Sequence, residues 1–203
     1  MQNWTVILRM QTLGLSDSGE RTDGRLKSLF WPAVESGADV DYLGAQGYWV
    51  CSFVAATTFI FASLQGRPIL GFAFLLFYYL GGVGVRERDL FAAVLVFALY
   101  FADTVLFLVY LLFGSPWGIV LRAVVTALLF SNVRATWIAS SWQSDSEETA
   151  LPPRLGDTWS DKFADRWPAI VWPKVRIIYY VFALCVLLVV LVGLASAIFR
   201  SIR

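Results

Sequence analysis

The chain has 203 residues, of which 58% are hydrophobic and 15% are charged, and its mean hydropathy is +0.66. Soluble domains average about 45 to 50% apolar and about 25% charged residues, so the composition excludes an ordinary soluble domain and indicates an integral membrane protein. The 16 basic and 15 acidic residues leave a net charge of +1, which supplies no field for collecting nucleic acid. We therefore expect the lipid bilayer, and no nucleic acid, among its partners.

The sequence contains no histidine. Because imidazole is the commonest metal ligand and general base, this excludes histidine-ligated haem, zinc sites that contain histidine and a Ser-His-Asp triad. The two cysteines, Cys51 and Cys185, both lie in apolar runs, where a thiol is expected to be a small buried hydrophobe. The sequence therefore predicts no cofactor.

Five apolar runs are candidates for helices that cross the bilayer core of about 30 Å. In chain order they cover residues 48–64, 69–85, 90–113, 117–138 and 177–198. The second run is short and ends in Gly81, Gly82 and Gly84, so a re-entrant second segment, with four spans in total, is the alternative. The pattern predicts an all-α, polytopic membrane helix bundle with five transmembrane helices.

These spans divide the chain into four parts. They are an N-terminal cytoplasmic or interfacial segment (1–45), a four-helix transmembrane region (46–138), a cytoplasmic linker with an interfacial helix (139–173) and the fifth transmembrane helix with a short tail (174–203). With five spans, the N-terminal segment, Arg86, Arg88 and the basic residues of the linker all fall on one side. Because basic residues concentrate on the cytoplasmic side, we expect a cell-membrane protein with a cytoplasmic N-terminus.

The segment near 157–167 has the periodicity of an amphipathic helix, and we expect it to lie in the membrane interface. The acidic side chains of one face, expected to point to water, are Asp157, Asp161 and Asp165. The aromatic side chains expected to anchor the segment at the headgroups are Trp159, Phe163, Trp167 and, further along the chain, Trp172.

The same three aspartates are the candidates for a metal site. Aspartates four residues apart on one helical face can hold Mg²⁺ and a diphosphate, so a magnesium-dependent lipid-modifying enzyme is one alternative function. No second acidic cluster or phosphate clamp accompanies them in a recognisable motif. A solvated acidic face is therefore the simpler interpretation, and we predict no metal.

Asp103 is the single carboxylate inside the predicted spans. Tyr100 and Tyr110 share its helical face, so this polar stripe is expected to look into the bundle. Arg122 on the next helix is the expected counter-ion, although counting residues from the intervening turn places it about 9 Å nearer the outer surface. The same count places Asn132 level with Tyr100, within reach of a hydrogen bond.

Paired polar groups of this kind hold transmembrane helices in register, at about 0.6 to 2 kcal/mol each, and this is the interpretation we favour. A proton or ion pathway through Asp103 is the alternative. The turn Arg86-Glu87-Arg88-Asp89 alternates in charge and is expected to be solvated and mutually neutralised, with a phosphate or partner contact as its alternative. The glycines before it are expected to end the second helix.

By elimination, the sequence favours a non-catalytic, multi-pass membrane protein that acts as an accessory subunit, assembly factor or scaffold for other membrane proteins or for itself. Aspartyl intramembrane proteolysis needs two acids within the membrane, and a Ser-Lys dyad needs a lysine there; the spans supply neither. A small transporter or channel that uses Asp103 is the first alternative, and the magnesium-dependent enzyme is the second.

Overall fold

A computed structural model of the protein describes residues 30, 34, 37–110, 116–145 and 159–202. Its helices are α1 (Gly37–Leu64), α2 (Pro68–Arg86), α3 (Leu90–Tyr110), α4 (Pro116–Asp145) and α5 (Trp159–Ile202). All five are long and apolar enough to cross a membrane. The predicted all-α membrane bundle is thereby confirmed, and α2, as a continuous helix of 19 residues, favours five spans over four.

The first four helices form a ring in which α1 contacts α2, α2 contacts α3, α3 contacts α4, and α4 returns to α1. The fifth helix packs outside this ring, against α2 and α3. Short turns join α1 to α2 and α2 to α3, so successive helices alternate in direction. We call the end of the bundle that holds the turn between α2 and α3 the α2–α3 end, and the opposite end the α3–α4 end.

Two helices begin well before their predicted spans. α1 begins at Gly37, ahead of the predicted 48–64 run, and α5 begins at Trp159, ahead of the predicted 177–198 run. The amphipathic segment near 157–167 is therefore the first part of α5, and the proposed boundary at 173/174 falls inside a helix. At 1.5 Å per residue the 44 residues of α5 extend about 66 Å, roughly twice the thickness of a bilayer core.

Glycines allow α2 to pack closely against three other helices. A Cβ atom added at Gly82 would lie 2.7 Å from the Cβ of Cys51 in α1, and one at Gly84 would lie 2.5 Å from the Trp172 ring in α5 and 2.6 Å from Ala92 in α3. These distances leave no room for a side chain. The expectation that the glycines end the helix is wrong, because α2 continues through them to Arg86.

The end of α2 is instead a Schellman motif. The Asp89 amide donates to the Gly84 carbonyl at 3.0 Å, and the Arg88 amide donates to the Val85 carbonyl at 3.0 Å. Arg88 occupies the left-handed position of the motif with a φ of 60°, where glycine is usual. A side chain in this conformation costs about 1 to 2 kcal/mol, which the contacts of Arg88 described below help to offset.

α5 is the least covered helix of the bundle. In the most apolar 18-residue stretch of α5, 11% of the residues are buried, whereas 44% are buried in the corresponding stretch of α2. Large apolar side chains such as Ile177, Val189 and Phe199 are mostly exposed. In a membrane this surface is in contact with lipid or with another protein.

Candidate functional site

The charged turn between α2 and α3 is the centre of a polar cluster at the α2–α3 end, which we call the turn network. Its members come from α1, from the turn with its flanking helices, and from α5. They are Asp41, Arg86, Arg88, Asp89, Asp165, Trp172 and Tyr180. The network therefore joins segments that are far apart in the sequence.

Arg86 bridges α1 and α5. Its Nε donates to Asp165 Oδ1 at 3.0 Å, and its Nη2 forms an ion pair with the same carboxylate. On the other side, Nη1 donates to the Asp41 carbonyl at 2.7 Å and lies 3.1 Å from Asp41 Oδ1. The Arg86 side chain is only 4% exposed, so two carboxylates compensate a charge that is almost completely removed from solvent.

Asp41 also pairs with the second arginine of the turn. Arg88 Nη2 lies 3.0 Å from Asp41 Oδ1, so one carboxylate holds both guanidinium groups. Arg88 has left-handed backbone dihedral angles, so its side chain does not point where the next residue of a continuing helix would point. The motif that ends α2 thereby also directs the Arg88 side chain toward α1. The unusual backbone at Arg88 and its ion pair with Asp41 therefore belong to one arrangement.

Asp89 connects the start of α3 to α5. Its Oδ1 accepts a hydrogen bond from the Ala92 amide at 3.0 Å, which makes it the N-terminal cap of α3. Its Oδ2 accepts from Trp172 Nε1 at 3.3 Å and from the Tyr180 hydroxyl. The prediction of a solvated, self-neutralised turn is wrong, because its charges bind side chains of α1 and α5 and a backbone amide of α3.

The structure describes only part of the acidic and aromatic faces predicted near 157–167. Asp165 contacts Arg86 instead of pointing to water, whereas Trp167 is 46% exposed. Trp172, an expected interfacial anchor, is 5% exposed and packs inside the bundle. Asp157 lies outside the described residues, as do the side chains of the helical residues Trp159, Asp161 and Phe163.

Among the residues that the structure describes, no three metal-ligating side chains come together. Asp165, the one described member of the acidic face, already shares its carboxylate oxygens with a guanidinium group. The turn network therefore holds helices together by compensated charge, and its geometry offers no open set of ligands.

A second polar site lies near the α3–α4 end. Asp103 Oδ2 and Arg122 Nη1 are 2.5 Å apart, and the guanidinium carbon lies 4.2 Å from the centre of the Phe107 ring. Both residues lie within candidate membrane spans, Asp103 in α3 and Arg122 in α4.

This pair bridges α3 and α4. The Asp103 side chain is 51% exposed and that of Arg122 is 26% exposed. Tyr100, one turn earlier on the same face of α3, is 8% exposed and packs in the core. The polar stripe therefore becomes more exposed toward the α3–α4 end. The Tyr110 side chain is outside the described part.

Asn132 is completely buried within α4. Its Nδ2 donates to the Leu128 carbonyl one turn earlier at 2.9 Å. A Cβ atom added at Gly47 of α1 would lie 2.5 Å from Asn132 Oδ1. The neighbour that encloses this amide is therefore α1, whereas the residue count from the turn placed it against Tyr100 of α3.

Asp41 and Tyr180 take part in the turn network but were not singled out from the sequence. A signal for Asp41 was present: with five spans, the start of the first span, the Arg86 turn and the segment before the fifth span all lie on the same side of the membrane. Acidic residues near the first and the last of these segments are therefore the candidates to pair with buried arginines of the turn. No comparable signal marks Tyr180, which lies within an apolar run.

Comparisons of the chain with protein-family models, with curated proteins and with solved structures find no match. The two polar sites are therefore the features of the chain that bear on its function.

Proposed function

We propose that the protein is a non-catalytic, multi-pass membrane protein that acts as an accessory subunit, assembly factor or scaffold and binds another membrane-embedded polypeptide. The observation that supports this proposal is the partly exposed ion pair of Asp103 and Arg122 between α3 and α4. The bound polypeptide covers this pair and supplies polar neighbours to the two charges.

The physical reason is the low polarity of the lipid surroundings. A charged side chain near the centre of a bilayer costs about 2.5 to 3.5 kcal/mol on insertion scales, and less near the interface. Pairing reduces this free energy, but the carboxylate and the guanidinium group retain hydrogen-bonding capacity that hydrocarbon does not satisfy. A polypeptide that carries polar groups at the same depth satisfies it.

The turn network also supports a structural, non-catalytic role for the protein. Its arginines and aspartates bind one another and join α1, α2, α3 and α5, so their charges serve to position helices. We place this end of the bundle, and with it the N-terminus, on the cytoplasmic side of the cell membrane. The supporting pattern is the concentration of basic residues there, including Arg166, Lys174 and Arg176.

The test is extraction into polymer-bounded native nanodiscs followed by native mass spectrometry. The wild-type protein is expected to carry a polypeptide at a fixed ratio. The double variant Asp103→Asn with Arg122→Gln removes both charges but keeps polar side chains at both positions, and it is expected to lose the polypeptide. Thr57→Ala, which removes an exposed polar group from α1, is the matched control and is expected to retain it. Wild-type particles that contain only lipid, or a polypeptide retained by the double variant, would contradict the proposal.

A further inference from the structure

We infer that the outer face of α5 at the α2–α3 end binds anionic phospholipids, with the lipid phosphate at Arg166 and Lys174. This site goes beyond the function proposed above and is separate from Asp103 and Arg122. Three observations support it: the height of the two basic side chains in the bundle, their exposure, and the apolar side chains that follow them along α5.

Both basic residues lie at the height of the α2–α3 turn. Arg166 follows Asp165, whose carboxylate pairs with the last residue of α2. Lys174 comes two residues after Trp172, whose indole donates to Asp89 at the start of α3. The end of α2 and the start of α3 mark one boundary of the candidate membrane spans. Lipid headgroups lie just outside the hydrocarbon core, so both basic residues are at headgroup level.

The two basic side chains point away from the bundle. Both residues are exposed, whereas their neighbours Asp165 and Trp172 contact α2 and α3. Neither Arg166 nor Lys174 forms an ion pair with another residue that the structure describes. The outer face of α5 therefore presents two positive charges to the headgroup region, where basic residues attract anionic lipids.

An exposed stripe runs along α5 through Lys174. Its members are spaced alternately three and four residues apart, so they lie on one side of the helix. In chain order they are Trp167, Ile170, Lys174, Ile177, Val181, Leu184 and Leu188, and all are exposed. Ile177 and Val181, directly after the lysine, are 73% and 62% exposed. The stripe thus passes from an aromatic ring and a lysine at headgroup level to apolar side chains at the depth of acyl chains.

A phospholipid complements this face along its whole length. At 1.5 Å per residue, Arg166 and Lys174 are about 12 Å apart along α5, so their long side chains can both approach one headgroup. The phosphate accepts hydrogen bonds from these cations, and the acyl chains pack along Ile177 and Val181. A free phosphate would leave the apolar part of the face uncovered. A zwitterionic headgroup would add a cation next to the two basic side chains, so the face favours a headgroup with net negative charge.

The experiment measures which lipid contacts the stripe. The full chain is reconstituted into nanodiscs with equal amounts of phosphatidylglycerol and phosphatidylcholine that carry the same photoreactive acyl chain. After illumination, mass spectrometry gives the ratio of the two labels on the peptide that contains Ile177 and Val181. The wild-type chain is expected to carry more phosphatidylglycerol than phosphatidylcholine. In Arg166→Gln with Lys174→Gln, the ratio is expected to fall about fivefold for each charge removed.

Two control variants separate the charge and the position of these residues from other effects. Arg166→Lys with Lys174→Arg keeps both charges and is expected to retain the wild-type ratio. Arg176→Gln removes an exposed charge from the opposite side of α5, two residues from Lys174, and is expected to leave the ratio nearly unchanged. Matching melting temperatures of the variants in detergent verify that each chain is folded.

A wild-type ratio of one, or a wild-type ratio retained by the doubly neutral variant, would overturn the inference. A stripe that neither lipid labels would also overturn it, because another polypeptide or a second copy would then cover this face. The proposed function is tested independently, at Asp103 and Arg122, and none of these results decides it.

Discussion

Replacing Arg86 by methionine is expected to destabilise the bundle by about 3 kcal/mol. The substitution keeps most of the apolar stem but leaves the carboxylates of Asp41 and Asp165 without their shared cation. Removing one partner of a buried ion pair typically costs about 3 to 5 kcal/mol. The two carboxylate side chains are 27% and 17% exposed, so water partly solvates them after the loss, which places the expected effect at the lower end.

The assay is thermal unfolding in one detergent, followed by intrinsic tryptophan fluorescence. A loss of about 3 kcal/mol corresponds to a fall in melting temperature of about 6 to 12 °C for a chain of this length. Arg166→Met is the matched control: Arg166 is exposed and adjacent to Asp165, and its replacement is expected to change stability by less than about 0.5 kcal/mol.

A compensated variant separates the loss of the pair from the loss of the arginine itself. Asp165→Asn, added to Arg86→Met, removes the charge that the single substitution leaves unpaired, whereas Asp41 keeps its ion pair with Arg88. Because neutral replacements of buried ion pairs are often tolerated, the double variant is expected to regain part of the lost stability. If Arg86→Met has the same melting temperature as Arg166→Met, or if the double variant is no more stable than the single one, the described role of Arg86 is wrong.

Two further predictions concern close packing and hydrogen bonding around α2. Gly84→Ala is expected to be about 1 to 3 kcal/mol less stable than Gly193→Ala, because its methyl group would meet an indole ring and another helix within 2.6 Å, whereas nothing lies within 4 Å at Gly193. Equal melting temperatures would contradict this. Tyr180→Phe is expected to cost about 1.5 to 3 kcal/mol, because its hydroxyl donates to the Asp89 carboxylate. Tyr179→Phe is expected to be neutral or stabilising in the same thermal unfolding assay, since the buried Tyr179 hydroxyl has no hydrogen-bond partner in the described part of the chain. A lower melting temperature for Tyr179→Phe than for Tyr180→Phe would refute the role given to the Tyr180 hydroxyl.

The fold class was predictable because hydropathy alone determines which segments enter a membrane. The helix bounds were less so. The first turns of α1 and α5 are polar, and a hydropathy window does not distinguish a polar helical turn from a loop. α5 also continues through Pro168 and Pro173, with Pro168 buried against the bundle.

The candidate sites were predictable to different extents. Asp103 and Arg122 lie on helices that follow each other in the sequence, so Arg122 could be named as the counter-ion, although counting residues placed it about 9 Å nearer the outer surface. The turn network depends on how α1 and α5 pack around the end of α2, and no local pattern contains that information. Its charged residues therefore suggested a solvated turn, because only nearby charges are visible in a linear sequence.

The two polar sites also differ in what they add to the fold. The turn network joins residues 45 and 79 positions apart, so its contacts hold together helices that no short turn connects. Asp103 and Arg122 are 19 positions apart on helices that their own connection already holds side by side. This pair therefore joins no helices that are distant in the sequence, while it places two charges within apolar spans. The bound polypeptide proposed above would supply polar neighbours that offset this unfavourable placement.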